Sequence, residues 1–264
     1  MELKNITTEV CRIARETGRY LRDERRNFKQ ENVLRKGTYD YVSYVDREAE
    51  RMTVKALGKL LPEAGFVTEE GTVEQSGGGL AWVIDPLDGT TNFIHDNAPY
   101  CVSIALQRDA ELLVGVVYEV CRNECFYAWA GGGAWLDGEP IHVSTSGMEE
   151  AFVGLECPYM AEEYRPVILN AIEKLYGRIA GIRMNGAAAV SLCNVAAGRF
   201  DAWGEAYIKP WDYAAGALLV REAGGRVTDY KGSEDIQGTH HIVASNGRIH
   251  EEFREVLALP GVDM

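Results

Sequence analysis

The chain has 264 residues, 46% hydrophobic and 25% charged, the composition of a globular protein of one or two domains with a sizeable core. Its 27 basic and 40 acidic residues leave a net charge of −13. That field repels nucleic acid and anionic membrane surfaces, and admits a small phosphorylated ligand only where a local cation reverses the sign.

Ile6, Val10, Ile13, Ala14, Gly18 and Leu21 recur at helical spacing and predict a helix over 4–30. Ala49, Met52, Val54, Ala56, Leu57 and Leu60 predict a second over 45–61. Apolar segments of strand length follow at 65–68, 80–84, 103–106, 112–119 and 124–130, and their close spacing suggests an antiparallel sheet. Gly131-Gly132-Gly133 reads as a hairpin turn. Beyond residue 148 the pattern alternates. Strands are predicted at 152–156, 178–184, 200–204, 226–230 and 241–244, and helices at 162–176, 186–198, 212–223 and 250–257. Asp212 reads as the N-cap of its helix, with Gly224-Gly225 as the stop. No linker marks the change near 148. The expectation is one unit, 1–264, with two lobes, 1–148 and 149–264, in a layered α/β or α+β architecture.

Cys11, Cys101, Cys121, Cys125, Cys157 and Cys193 form neither a CxxC pair nor a zinc pattern, which predicts reduced thiols and a cytoplasmic protein. The opening MELKNITTEV has no apolar signal segment, and the longest apolar run, 112–118, falls far short of the roughly 20 residues that span a bilayer.

The chemistry concentrates in Trp82 to Phe93, WVIDPLDGTTNF. An apolar strand runs into Asp85-Pro86-Leu87-Asp88-Gly89-Thr90, where Pro86 is expected to end the ladder and fix a turn. Asp85 and Asp88 then reach one centre, while Gly89, Thr90 and Thr91 open a helix whose free N–H groups suit an anion. Two carboxylates about 4 Å apart repel by about 4 kcal/mol at an effective dielectric of 20, so a cation must sit between them. All-oxygen ligands beside a phosphate favour Mg²⁺. The bland alternative is a capped turn, Asp85 and Asp88 serving only the backbone. Further acids at element ends weigh against it: Glu69-Glu70 after the 65–68 strand, Asp212 at a helix start, and Asp46 before the 45–61 helix.

Four patches carry a resemblance: DYVSYVDRE at 40–48, TEEG at 68–71, WVIDPLDGTTNF at 82–93 and WDYAAGALLVREAGG at 211–225. The chain resembles the inositol monophosphatase family of Mg²⁺-dependent, lithium-sensitive phosphatases. The resemblance implies an αβαβα five-layer sandwich of the sugar phosphatase type, in a homodimer. It implies two to three Mg²⁺ ions per subunit, held by Glu69, Asp85, the Leu87 carbonyl, Asp88 and Asp212. Asp46 and Thr90 are implied as the water-activating pair, and Gly89, Thr90, Gly186, Ala188 and Glu205 as substrate contacts. Glu205 matches the acid that binds an inositol hydroxyl, or is a strand-end surface acid. Lys209 either faces the substrate or is solvated, and Lys36 either helps bind phosphate or ends a helix. Ser43 and Ala187 stand where the family usually has Thr and often has Ser. Glu156-Cys157-Pro158-Tyr159 matches no family pattern.

The implied activity is hydrolysis of inositol 1-phosphate or a similar polyol or sugar phosphate, with no nucleic-acid or membrane partner. Fructose 1,6-bisphosphatase and 3′-phosphoadenosine 5′-phosphate phosphatase share the fold. The Thr91-Asn92-Phe93 ending resembles the inositol branch rather than the nucleotide branch. A non-catalytic sugar-phosphate-binding protein is the alternative from another class. A Ca²⁺ module is opposed by the missing EF-hand pattern. The five histidines, the His240-His241 pair included, form no metal motif, and His95 and His142 read as surface or loop residues.

Overall fold

The computed structural model describes residues 2–28, 34–37, 40–76, 78–159 and 161–258. The apolar stripe of the N-terminal segment folds as predicted. Helix α1 (Leu3–Asn27) buries Ile6, Val10, Ile13, Ala14 and Leu21. A hairpin, β1 (Leu34–Gly37) and β2 (Asp40–Val42), leads into α2 (Tyr44–Leu60). Ser43 caps α2, accepting from the Val45 N–H at 3.1 Å. Lys36 therefore lies on a strand rather than at a helix end, and its side chain is outside the described residues.

The first sheet contains β3 (Gly65–Thr68), β4 (Leu80–Asp88), β5 (Cys101–Arg108), β6 (Glu111–Glu119), β7 (Glu124–Trp129), β8 (Ala134–Leu136) and β9 (Glu139–Ile141), in chain order. Only the β3–β4 pair is parallel, so the antiparallel expectation holds for the rest. The short helix α3 (Thr90–Ile94) follows β4 directly. The turn through Gly131-Gly132-Gly133 joins β7 to β8, as read from the glycines. Strands β8 and β9 were not predicted, because three residues each give no readable alternation.

The second sheet has the order β11-β10-β12-β14-β13, from β10 (Phe152–Leu155), β11 (Gly181–Arg183), β12 (Ala202–Ala206), β13 (Arg226–Thr228) and β14 (His241–Ser245). Helices α4 (Arg165–Leu175), α5 (Ala188–Ala196), α6 (Pro210–Glu222) and α7 (His250–Leu257) complete the chain. The sheets and helices stack in five layers. Helices α1 and α2 cover one face of the first sheet, α5 and α6 fill the space between the sheets, and α4 and α7 cover the far face of the second. The αβαβα expectation is met. The alanines of α5 and α6 explain the central layer: Ala188, Ala189, Ala196, Ala214, Ala215 and Ala217 are all buried, and small side chains let helices approach two sheets at once. No helix among the described residues is long and apolar enough to cross a membrane. All six cysteines are free thiols.

Candidate active site

Strand β4 does not end at Pro86. Asp85 lies opposite Ser103 and Asp88 opposite Cys101, so Pro86 and Leu87 share the space facing Val102. This is a bulge, the one place where a central strand tolerates a residue without an N–H. The bulge turns Asp85 and Asp88 out of the regular alternation, both buried. Asp85 Oδ1 accepts the Leu87 N–H at 2.9 Å. Gly89 then takes φ +88°, and a Cβ there would stand 2.9 Å from the Pro99 carbonyl oxygen. Both constraints require glycine.

Asp46 sits on the core face of α2, only 1% exposed. Its Oδ2 accepts the Ser43 N–H at 2.9 Å and the Ser43 hydroxyl at 2.7 Å. Its Oδ1 lies 3.2 Å from Thr90 Oγ1, whose hydroxyl also lies 3.0 Å from the Leu87 carbonyl. Serine at position 43 thus supplies the hydroxyl this geometry uses. Sequence reasoning missed Glu50, one turn further along α2 and fully buried. It accepts the Glu70 and Thr72 N–H groups, each at 2.7 Å, and so anchors the loop that carries Glu69. An acid four residues after Asp46, on the same apolar face, was the available signal.

Asp212 is not the N-cap of α6. Lys209 occupies that position, and Asp212 stands at the third helical residue, accepting the Lys209 N–H at 2.8 Å. Pro210 explains the shift, since proline favours the first helical turn. Lys209 Nζ stacks 5.0 Å from the centre of the Tyr207 ring. Asp88 receives the first N–H groups of α5, from Ala188 at 3.3 Å and Ala189 at 2.8 Å.

These contacts bring the predicted acids into one electrostatic cluster. Burial, then the charges of Glu69, Asp88 and Asp212, push Asp85 well above the usual carboxylate range. Burial pushes Asp88 up to about 7 against the pull of its backbone partners. Burial and then Asp88 push Asp212 up to about 7. Among the described residues, no cation figures among the main influences on Asp85 or Asp88, and the pull of Lys209 on Asp212 is the weakest acting there. The acids converge without closing: among the described residues no three His, Cys, Asp or Glu side chains stand at the mutual spacing of a finished metal shell. A buried cluster of hard oxygen donors fits a divalent cation.

A cavity of about 730 Å³ opens beside the cluster. Asp88, Asp212, Glu205, Gly186, Ala187 and Ala188 line it, so β4, the start of α5, β12 and α6 meet there. Glu69, Asp85 and Thr90 lie outside that lining, next to Asp88 and Thr91, which form part of it. Glu205 is half-buried, its Oε2 has no hydrogen-bond partner among the described residues, and burial followed by the Glu156 charge raises its pKa well above the ordinary value. His95 is an exposed residue of the same rim, and His142 is exposed elsewhere.

The inositol monophosphatase family profile matches residues 2–258. The chain belongs to the inositol monophosphatase family. Among its relatives, the inositol-1-monophosphatase of Rhizobium meliloti (strain 1021) is 39% identical over 230 residues, 86% of each chain. The Nus factor SuhB of Escherichia coli (strain K12) is also 39% identical, over 242 residues and 91% of each chain. The crystal structure of extragenic suppressor protein suhB from Bartonella henselae superposes with a TM-score of 0.90 at 34% identity, covering 98% of this chain and all of that one. Family membership supports phosphatase activity and leaves the substrate open.

Proposed function

We propose that the protein is a Mg²⁺-dependent phosphomonoesterase acting on inositol 1-phosphate or a similar polyol phosphate. The observation that carries this reading is the buried cluster of Asp85, Asp88 and Asp212 beside the Thr90–Asp46 pair. In this reading Glu69, Asp85 and the Leu87 carbonyl would hold one ion, Asp85, Asp88 and Asp212 would hold a second, and Glu69 would share a weaker third. Bound Mg²⁺ supplies a Lewis acid for the phosphate and lowers the pKa of water.

The chain's own groups do the rest. Thr90 donates its hydroxyl proton to Asp46, which leaves the Thr90 oxygen free to accept from the attacking water and orient it. The buried Asp46 is fixed by Ser43, so the Thr90 hydroxyl is aimed before substrate arrives. The N–H groups of Gly89 and Thr90 receive the phosphate oxygens where charge develops. Glu205, in the lining of the cavity, accepts a hydroxyl of the alcohol. The same reading extends to a cytoplasmic homodimer.

Phosphate release across inositol, sugar and nucleotide phosphates tests the proposal. Turnover is expected with Mg²⁺, lost in EDTA, and highest for inositol or a similar polyol. A preference for fructose 1,6-bisphosphate or a nucleotide would move the substrate to another branch of the fold. Relatives bearing the name Nus factor bring a second reading, a binding role without turnover. A folded protein that releases phosphate from no substrate would favour it.

A further inference from the structure

Glu156 belongs to the one segment near the site that matched no family pattern, and the proposed hydrolysis gives it no role. It follows β10 directly and is 6% exposed. No cation pairs with it among the described residues. Both carboxylate oxygens are instead spent on the loop between β11 and α5 and on the first turn of α5. Oε1 accepts the Asn185 N–H at 3.0 Å and lies 3.3 Å from the Ser191 hydroxyl; Oε2 accepts the Gly186 N–H at 3.0 Å.

The same stretch is held from the opposite side. Asn92 of α3 donates through Nδ2 to the Asn185 carbonyl at 2.8 Å and to the Pro99 carbonyl at 2.8 Å. Gly186 takes φ +68°, and a Cβ there would stand 3.3 Å from Asn92 Nδ2. Two residues later, the Ala188 and Ala189 N–H groups reach Asp88. The span from Asn185 to Ala189 is therefore tied to Glu156 at one end and to Asp88 at the other. Asn92 clamps its first carbonyl to the element that carries Thr90.

We propose that Glu156 is a positioning residue: its carboxylate sets the Asn185–Gly186 backbone, and through it the two N–H groups that fix Asp88 for cation binding. The proposal rests on the metal reading given above. A carboxylate suits the task because it accepts two adjacent N–H donors at once. Glutamine cannot, since one of its two terminal atoms is a donor and would face a backbone N–H in a buried place. Groups that orient metal ligands typically change metal affinity by about 10–100-fold when removed.

Glu156→Gln separates this role from a general structural one through two measurements made without substrate. Amide hydrogen exchange across 185–189 should speed up by about tenfold, as for one buried hydrogen bond lost, while strands β5 and β6 stay protected. Mg²⁺ titrated by calorimetry into the metal-free protein should bind about 10–100-fold more weakly than to wild type. Unchanged exchange at 185–189, exchange that rises everywhere, or local exchange with unaltered Mg²⁺ affinity would each overturn the proposal. If Glu156→Gln does not fold, Asn92→Ala loosens the same backbone from its carbonyl side and must give both effects. A wild-type protein that binds no Mg²⁺ sinks the metal reading by itself; the positioning of Asp88 by Glu156 then falls with it, and faster exchange shows only that the loop is clamped. A wild type that binds Mg²⁺ yet hydrolyses nothing sinks the phosphatase reading and leaves Glu156 judged by both arms.

Discussion

In the proposed hydrolysis Asp85 serves both of the tighter ions, and its burial explains why it cannot be replaced cheaply. Asp85→Asn keeps the shape and removes the charge, so turnover should fall by well over tenfold. A variant retaining more than about a tenth of the wild-type rate, a barrier change below 1.4 kcal/mol, would show the metal assignment to be wrong. Thr90→Ala should behave differently. Its hydroxyl lies between Asp46 and the Leu87 carbonyl and contributes no carboxylate. The expected result is kcat lower by about 10²–10⁴-fold with Mg²⁺ affinity nearly unchanged. An equal loss of metal binding would make Thr90 structural. Glu205 decides between substrates. Because its Oε2 has no hydrogen-bond partner among the described residues, Glu205→Ala should raise KM for inositol 1-phosphate while leaving hydrolysis of a small aryl phosphate little changed. The cost should be about 1–3 kcal/mol, the range for a hydrogen bond to a charged group. Equal loss on both substrates would assign Glu205 to the fold.

At the scale of elements, the site depends on how closely α6 lies against the first sheet. A Cβ added at Gly115 on β6 would stand 2.6 Å from the Ala215 carbonyl oxygen and 3.1 Å from its Cα, both backbone atoms that cannot swing aside. Gly115→Ala must push α6 outward, and α6 carries Asp212 in its first turn. Overpacking of this kind costs about 1–3 kcal/mol. Thermal unfolding should show a lower Tm, with a raised Mg²⁺ requirement in activity assays. An unaltered Tm would mean the two backbones are not in contact. Nothing in the sequence marks this approach, because Gly115 reads as one weak residue in a strand. The helices and long strands were legible, since α1 and β6 repeat their apolar residues at the right period. The end of β4 was misread because Pro86 normally breaks a ladder, and a bulge depends on the partner strand. Asp212 was read one turn boundary away from its place because Pro210, not the acid, sets the helix start. The acids of the proposed metal site stand out through their motifs, whereas Glu50 and Glu156 do not. Their partners are backbone N–H groups some 20 and 30 residues distant, which leave no pattern in side-chain identity.

At the scale of the molecule, the buried acids make stability depend on pH in an unusual direction. Asp88 and Asp212 carry pKa values pushed up from 3.8 to about 7, by burial first. Between those values the folded chain holds protons that the unfolded chain has lost. Stability therefore falls as pH rises through that window, and the full cost is present above about pH 7. Burial also raises Asp85, Glu156 and Glu205, which act in the same sense. His250 opposes them. It lies fully buried between the Thr228 hydroxyl at 2.9 Å and the Ser245 hydroxyl at 2.8 Å, and burial lowers its pKa from 6.5 to about 4. Its contribution is lost as pH falls from 6.5 towards 4. Between pH 8 and pH 7 the raised acids outweigh His250, so in EDTA the Tm should rise on acidification across that interval. The net charge of −13 works in the same direction, and a second comparison separates the two. A cation that binds the ionised cluster stabilises the fold by mass action, and protons compete with it for the same oxygens. Millimolar Mg²⁺, at matched ionic strength, should therefore raise the Tm more at pH 8 than at pH 6. An equal rise at both values would mean that the cation screens the surface rather than filling the acid cluster.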